Sequence, residues 1–307
     1  MKNIKNLLFY IAGYIDGDGC FYIGKTIQKR KNITVYEHSI QIVSVKKPVL
    51  EEFQSHFGGF IKKKPYKENH RDAFCWTLKN KVAKDLSWAI CEILIEKGNQ
   101  AKLFAEFCET INHNKFRTIK QDVLNNRDRI IYQIREEKHM NNLITKEEIE
   151  SLKNEGLTIT PTEEDFPYLA GLIDSEGCFR IKKWKPKNRP NEVYNISVEI
   201  GNTKFPIMPW LIKRFGGSIC YVAAKGTKRS AAIWTLSAAA LYNILPKIRP
   251  YLRSKQEVCD KLIEFQQTIL PNGGDRHSEL FRALFEKRRE VRERIIKEVH
   301  QFNHKGS

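Results

Sequence analysis

The chain has 307 residues, 41% of them hydrophobic, with 53 Lys and Arg against 36 Asp and Glu, a net charge of +17 and a pI near 9.5. That length holds two domains of ordinary size, each with a sizeable core. The charge imbalance excludes a neutral surface and favours a polyanionic partner, nucleic acid ahead of an anionic membrane.

The first stretch with a clear pattern is Tyr10-Ile-Ala-Gly-Tyr-Ile-Asp-Gly-Asp-Gly-Cys-Phe21. Ile11, Ala12, Tyr14 and Ile15 give it two apolar helical turns, and Ala12 with Gly13 is small enough to let a second helix backbone come close. The helix stops in Gly-rich sequence that carries Asp18. Asp16 lies two residues back, roughly on the opposite side, and reads as a structural hydrogen-bonding group. The apolar run Leu7 to Ile15 is too short to span a bilayer and ends in acids, so neither a signal peptide nor a transmembrane helix is expected.

Cys20 to Thr26 alternates like a half-buried strand. A basic tip, Lys29-Arg30-Lys31, leads to a second strand over Tyr36 to Val45. Pro48 suits the first turn of a helix that ends at Gly58-Gly59. Strands over Phe60 to Lys64 and Ala73 to Leu78 follow, then helices around Val82 to Ile95 and Gln100 to Ile111. Val123 to Glu137 reads as a charged surface helix.

Residues 141–165 set Lys146 and Lys153 against Glu147, Glu148, Glu150, Glu155, Glu163, Glu164 and Asp165. This acidic stretch reads as a linker with a short helix opened by a Thr145-x-x-Glu148 capping box. It divides the chain into units 1–140 and 166–307.

The second unit repeats the first at a constant offset of 158, the distance from Asp18 to Glu176. Tyr168-Leu-Ala-Gly-Leu-Ile-Asp-Ser-Glu-Gly-Cys-Phe179 keeps eight of the twelve motif residues, Ala170 and Gly171 among them. Without a gap, Lys46 and Pro48 then match Lys204 and Pro206, Phe57-Gly-Gly matches Phe215-Gly-Gly, Trp76-Thr-Leu matches Trp234-Thr-Leu, and Lys97 matches Lys255. One register held this long marks an internal duplication. Strands are expected over Tyr194 to Gly201, Ser218 to Ala223 and Ser230 to Leu236, and helices over Ala240 to Leu252, Gln256 to Leu270 and Leu280 to Val299.

The fold class is α+β: two tandem α-β-β-α-β-β-α units related by a pseudo-twofold, each a four-stranded antiparallel sheet with helices on one face. The other face is free. A strand of about ten residues spans roughly 33 Å, close to the ~34 Å of one DNA turn. Side chains alternating away from the core are candidates for base readout. They are Tyr22, Thr26, Gln28, Ser39 and Gln41 in the first sheet, and Arg180, Lys182, Trp184, Asn195, Ser197 and Glu199 in the second. Lys62, Lys64, Arg71, Lys225, Lys228 and Arg229 are candidates for base or phosphate contacts.

The seven cysteines never form Cys-x-x-Cys and sit mostly in apolar sequence, as reduced core residues do. The eight histidines show no zinc-binding spacing. Heavy use of Lys, Asn and Ile points to an AT-rich coding genome, such as that of a mitochondrion or chloroplast.

The duplicated motif, Ile11-Ala-Gly-Tyr-Ile-Asp-Gly-Asp-Gly19 and Leu169-Ala-Gly-Leu-Ile-Asp-Ser-Glu-Gly177, resembles the LAGLIDADG homing endonucleases in their single-chain, two-motif form. The resemblance covers residues 7 to 110 and 165 to 270. It implies a saddle of two sheets over double-stranded DNA, cleavage of both strands and a monomer. It also implies that the last motif acids, Asp18 and Glu176, are catalytic and hold a divalent cation, Mg²⁺ or in its place Mn²⁺ or Ca²⁺. Lys97 and Lys255 match the active-site lysine of the family. At the end of the second strand the family often carries Gln or Asn; here Ser44 pairs with Asn202 and Gln41 with Glu199, so the two active sites are expected to be unequal. Intron RNA, as the partner of a maturase, and an inactive DNA-binding regulator are the alternatives that the same family allows.

Overall fold

The structure is a computed structural model that describes residues 2–28, 33–64, 72–111, 120–139, 144–153, 158–187, 192–226, 229–268 and 279–306. The first half runs α1 (Lys2–Asp18), β1 (Gly19–Gln28), β2 (Ile33–Ser44), α2 (Lys47–Phe57), β3 (Phe60–Lys64), β4 (Ala73–Leu78), α3 (Asn80–Ile90), α4 (Gly98–Thr110) and α5 (Gln121–His139). After α6 (Lys146–Lys153) the order repeats as α7 (Asp165–Glu176), β5 (Gly177–Trp184), β6 (Val193–Asn202), α8 (Ile207–Phe215), β7 (Ser218–Val222), β8 (Ala231–Ser237), α9 (Ala238–Ile248), α10 (Gln256–Gln267) and α11 (Glu279–Gly306). The motif helix α1 is longer than two turns, because Leu7 and its polar neighbours extend it back to Lys2.

Both sheets are antiparallel, with orders β1-β2-β4-β3 and β5-β6-β8-β7. Alternation along each strand separates two faces. Phe21, Ile40, Ile42, Trp76 and Leu78 are buried under the helices of the first half, as are Phe179, Val198, Ile200, Trp234 and Leu236 in the second. The opposite face of each sheet carries exposed side chains, among them Thr26, Gln28, Lys62 and Lys64 in the first and Arg180, Lys182 and Trp184 in the second. Sequence duplication fixes local detail as well. Gly58 and Gly216 end α2 and α8 at φ +74 and +67, a left-handed conformation that glycine adopts freely. The indole N–H groups of Trp76 and Trp234 donate to the carbonyls of those same glycines at 2.9 and 2.7 Å.

Two elements are better seated than their charge implies. α5 and α11 are not wholly solvated: Ile130, Ile131 and Ile134 of α5 and Ile295 and Val299 of α11 are buried, against α4 and against α10 with β5 respectively. The acidic stretch forms its capping box as expected, with Thr145 N donating to Glu148 Oε2 at 2.9 Å and Glu148 N to Thr145 Oγ1 at 3.2 Å. Ile149 and Leu152 then bury α6 where it packs on β7, so this segment rides on the second half. No helix among the described residues is long and apolar enough to cross a membrane.

Candidate active site

The two motif helices meet at their glycines. A Cβ on Gly13 would lie 2.1 Å from the carbonyl oxygen of Tyr168, and one on Gly171 would lie 2.0 Å from that of Tyr10. Ala12 and Ala170 beside them are fully buried. Each helix thus presses on the other through the same residues, the reciprocal contact of a twofold.

Hydrogen bonds repeat that reciprocity. Tyr10 donates its phenol to Asp174 at 2.8 Å, and Tyr168 donates to Asp16 at 2.5 Å. Asp16 also accepts the backbone N–H groups of Ile95, Glu96 and Lys97 at 2.7, 3.2 and 2.8 Å. Asp174 likewise accepts those of Arg253, Ser254 and Lys255 at 2.6, 3.2 and 2.9 Å. Burial pushes the Asp16 carboxyl above its usual range, and the bond from Tyr168 opposes that. These two acids are therefore structural. Each pins the loop that carries a candidate lysine.

The lysines then close the helix ends. Lys97 donates its ammonium to the carbonyls of Ile15, Asp16 and Gly17 at 2.8, 2.9 and 3.1 Å. Lys255 donates to Ile173 and Asp174 at 2.5 and 3.0 Å. A cation on the last carbonyls of a helix satisfies unpaired acceptors and opposes the helix dipole. Burial lowers the pKa of Lys255, while Asp174 raises it.

Asp18 and Glu176 stand exposed at these same ends. The tips are close: a Cβ on Gly17 would meet Ser175 Oγ at 2.1 Å and Glu176 Cγ at 3.0 Å. Desolvation on the protein side raises the pKa of both acids, Asp18 raises that of Glu176 further, and Lys97 and Lys255 pull both down. A crowded carboxylate pair that resists ionising is relieved by a cation. Among the described residues no three or more His, Cys, Asp or Glu converge on one point. Two carboxylates open to solvent fit Mg²⁺, which keeps several waters and takes phosphate oxygens to complete its octahedron.

The two sides of this centre differ. A cavity of about 210 Å³ beside Asp18 is lined by Tyr14, Ser44, Lys46, Ser254 and Lys255. Ser44 Oγ accepts from Tyr14 at 2.9 Å and from Lys46 N at 3.0 Å. On the other side Glu96, whose side chain is 6% exposed, accepts from Asn202 Nδ2 at 2.9 Å and pairs with Lys204 at 3.4 Å. Ser254 holds the place of Glu96 in the second copy. Glu96 was not legible as a site residue; the one signal was an acid next to Lys97 where the repeat has Ser254.

The open faces collect most of the candidate contact residues. Strand register puts Tyr22, Thr26, Gln28 and Gln41 on the first face, with Lys62 and Lys64 of β3. Arg180, Lys182, Trp184, Asn195 and Glu199 share the second. Lys225 and Arg229 are exposed beyond β7. Ser39 and Ser197 are a correction: they lie on the right faces but are 2% exposed, forming the floor beneath longer neighbours. Gln41 Nε2 donates to Ser39 Oγ at 3.0 Å, so it is Gln41 that faces outward. Arg71 and Lys228 lie outside the described residues. Phe60 was missed. By register it shares the first open face, with Lys62 and Lys79 near its ring at 5.2 and 5.8 Å; its parity with Lys62 was the available signal.

Paired motif helices below two open, basic sheets define a two-motif nuclease scaffold contained in one chain. The chain belongs to the LAGLIDADG endonuclease family, whose model matches residues 11–96 and 169–269. Among curated proteins none matches it by sequence. Solved structures do match. A lysine-to-alanine mutant of I-SmaMI is 17% identical with a TM-score of 0.61, over 93% of this chain and 97% of that one. I-SmaMI bound to uncleaved DNA in the presence of calcium ions is 16% identical with a TM-score of 0.59, over 93% and 97%. The LAGLIDADG meganuclease I-AabMI bound to uncleaved DNA is 16% identical with a TM-score of 0.59, over 93% and 98%. At these identities the likeness is one of fold.

Proposed function

We propose that the protein is a homing endonuclease that cuts both strands of a long, asymmetric DNA target with the help of a divalent cation. The observation that carries this is the pair of exposed carboxylates, Asp18 and Glu176, at the adjoining ends of two packed helices, each of which leads directly into one of the two sheets. Asp18 and Glu176 would hold the cation. When bound, it offsets charge on the phosphate and lowers the pKa of a water. The rest falls to the chain. Asp16 and Asp174 fix the loops of Lys97 and Lys255, and the lysines fix the ends of α1 and α7 and add positive charge beside the scissile groups. The open sheets track the duplex, and because one chain supplies both halves, a single copy suffices. An organellar, intron-borne gene suits this family and the composition of the chain.

The test is incubation of the full chain with a randomised duplex library and Mg²⁺, beside Asp18→Asn and Glu176→Gln. Each substitution is expected to abolish double-strand cutting and leave duplex binding within a fewfold of the unmodified protein. Equal cutting by either variant would falsify the assignment of these acids.

A further inference from the structure

We infer that Glu199, Arg180 and Lys182 form a base-selecting unit on the second sheet, in which Glu199 is a positioning residue that aims Arg180 at a guanine. The inference rests on the DNA reading above and assigns one of its specificity contacts.

Glu199 lies low, its side chain 13% exposed, while those of Arg180 and Lys182 are 51% and 56% exposed. Arg180 Nε lies 2.8 Å from Glu199 Oε2 in an ion pair, and Lys182 Nζ donates to Glu199 Oε1 at 2.9 Å. Both carboxylate oxygens are thereby engaged, so Glu199 itself offers little to a base. What it leaves free decides the chemistry. With the carboxylate paired on the Nε side, the two terminal nitrogens of the guanidinium form the edge left to a base. That planar fork matches the O6 and N7 acceptors of guanine in the major groove. Lys182 cannot substitute, because an ammonium is a point charge without a fork.

The first sheet supplies an internal control. At the same offset Arg180, Lys182 and Glu199 become Tyr22, Gly24 and Gln41. Tyr22 lies over Gly24, with its hydroxyl 2.4 Å from where a Cβ would stand, and Gln41 bonds down to Ser39. The charged unit has no equivalent there, so guanine selection belongs to one half of the target only. Glu199 also neutralises cations on a surface whose affinity comes from cations. A carboxylate in that position lowers affinity and is retained for discrimination.

The experiment uses the full chain and randomised duplexes recovered by binding, then the best duplex and its single-base variants at about 50 to 200 mM salt. The unmodified protein should require a G·C pair at one position facing the second half. Glu199→Gln should still bind, with that preference reduced roughly tenfold or more. Freed of their partner, Arg180 and Lys182 should steepen the salt dependence by about one to two phosphate contacts. Arg180→Gln, a change at an exposed site, should lose the same preference without that steepening. If Glu199→Gln and Arg180→Gln both select the unmodified protein's bases, or weaken every sequence alike, the inference is overturned while the DNA reading stands. A chain that retains no duplex at all overturns both.

Discussion

Gly13→Ala sets two effects of opposite sign against each other. Alanine is the better helix former by about 1 kcal/mol, so an isolated α1 would gain from the change. In the folded protein the new methyl would sit 2.1 Å from Tyr168 O and 2.9 Å from Tyr168 C, and contacts under 3.0 Å are essentially never tolerated. Reaching 3.0 Å from the carbonyl oxygen needs at least 0.9 Å of separation at the tightest point between the helices. Both neighbours are backbone and cannot rotate away. Overpacking of this kind costs about 1–3 kcal/mol, and separation also strains the bonds from Tyr168 to Asp16 and from Tyr10 to Asp174, each about 1.5–3 kcal/mol where a charged group takes part. The clash wins, and Gly13→Ala should lose roughly 2–4 kcal/mol in urea denaturation. Because Asp18 lies at the end of the displaced helix, a shift near 1 Å should also slow cutting by about 10²-fold. Gly171→Ala, at 2.0 Å from Tyr10 O, should match it. Unchanged stability with full activity in either variant would show that the helix crossing does not set the site.

Further outcomes follow from the same geometry. The raised pKa values of Asp18 and Glu176 mean that protons displace the cation at a higher pH than ordinary carboxylates of about 3.9–4.3 would allow; as pH is lowered at fixed Mg²⁺, cutting should begin to fall while still above that range, and an ordinary carboxylate profile would contradict the crowding. For stability the sign reverses. An acid with a raised folded pKa favours the native state at low pH and loses that contribution as pH rises through the folded value, so Asp18→Asn and Glu176→Gln should not lower the melting temperature at neutral pH. Glu96, whose charge bears on Glu176, holds Asn202 and Lys204; Glu96→Gln weakens that hold and should slow one strand by roughly tenfold, the equivalent of about 1.5 kcal/mol for one charge-assisted bond. End-labelling each strand separately reads this, and equal slowing of both would refute the inequality of the two sides.

The duplicated register made the fold legible. Trp76 and Trp234, Gly58 and Gly216, and the alternation in Ile196, Val198 and Ile200 each report a local constraint, and local constraints are written locally. The open faces were legible to the level of parity only. Ser39 and Ser197 have the right parity and the wrong depth, because depth depends on the length of the side chains around them. The buried stripes of α5 and α11 were masked by the charge around them, including Asp128, which pairs with Lys25 of β1, and Glu293, which pairs with Lys183 of β5. Least legible were the bonds between halves. Tyr10 with Asp174 and Asn202 with Glu96 join residues 164 and 106 positions apart, and no periodicity reports such a pair.

What has diverged between the copies is as informative as what has not. Gly13 and Gly171, Tyr10 and Tyr168, Asp16 and Asp174 act on one another across the crossing, so a change in one copy damages the other, and both copies are held to one solution. Residues outside these reciprocal pairs carry no such tie. Arg253, opposite Ile95 in the repeat, grips Glu52 at 2.9 Å and lies 4.8 Å from the centre of the Tyr10 ring, while Glu96 stands where the second copy has Ser254. Gln41 has become Glu199, and Tyr22 has become Arg180. The identical positions therefore define a shared centre, and the changed ones lie at its flanks and on the open sheets. A symmetric protein paired with a symmetric site would have had no reason to separate those positions, so the pattern of divergence itself argues that the two half-targets differ.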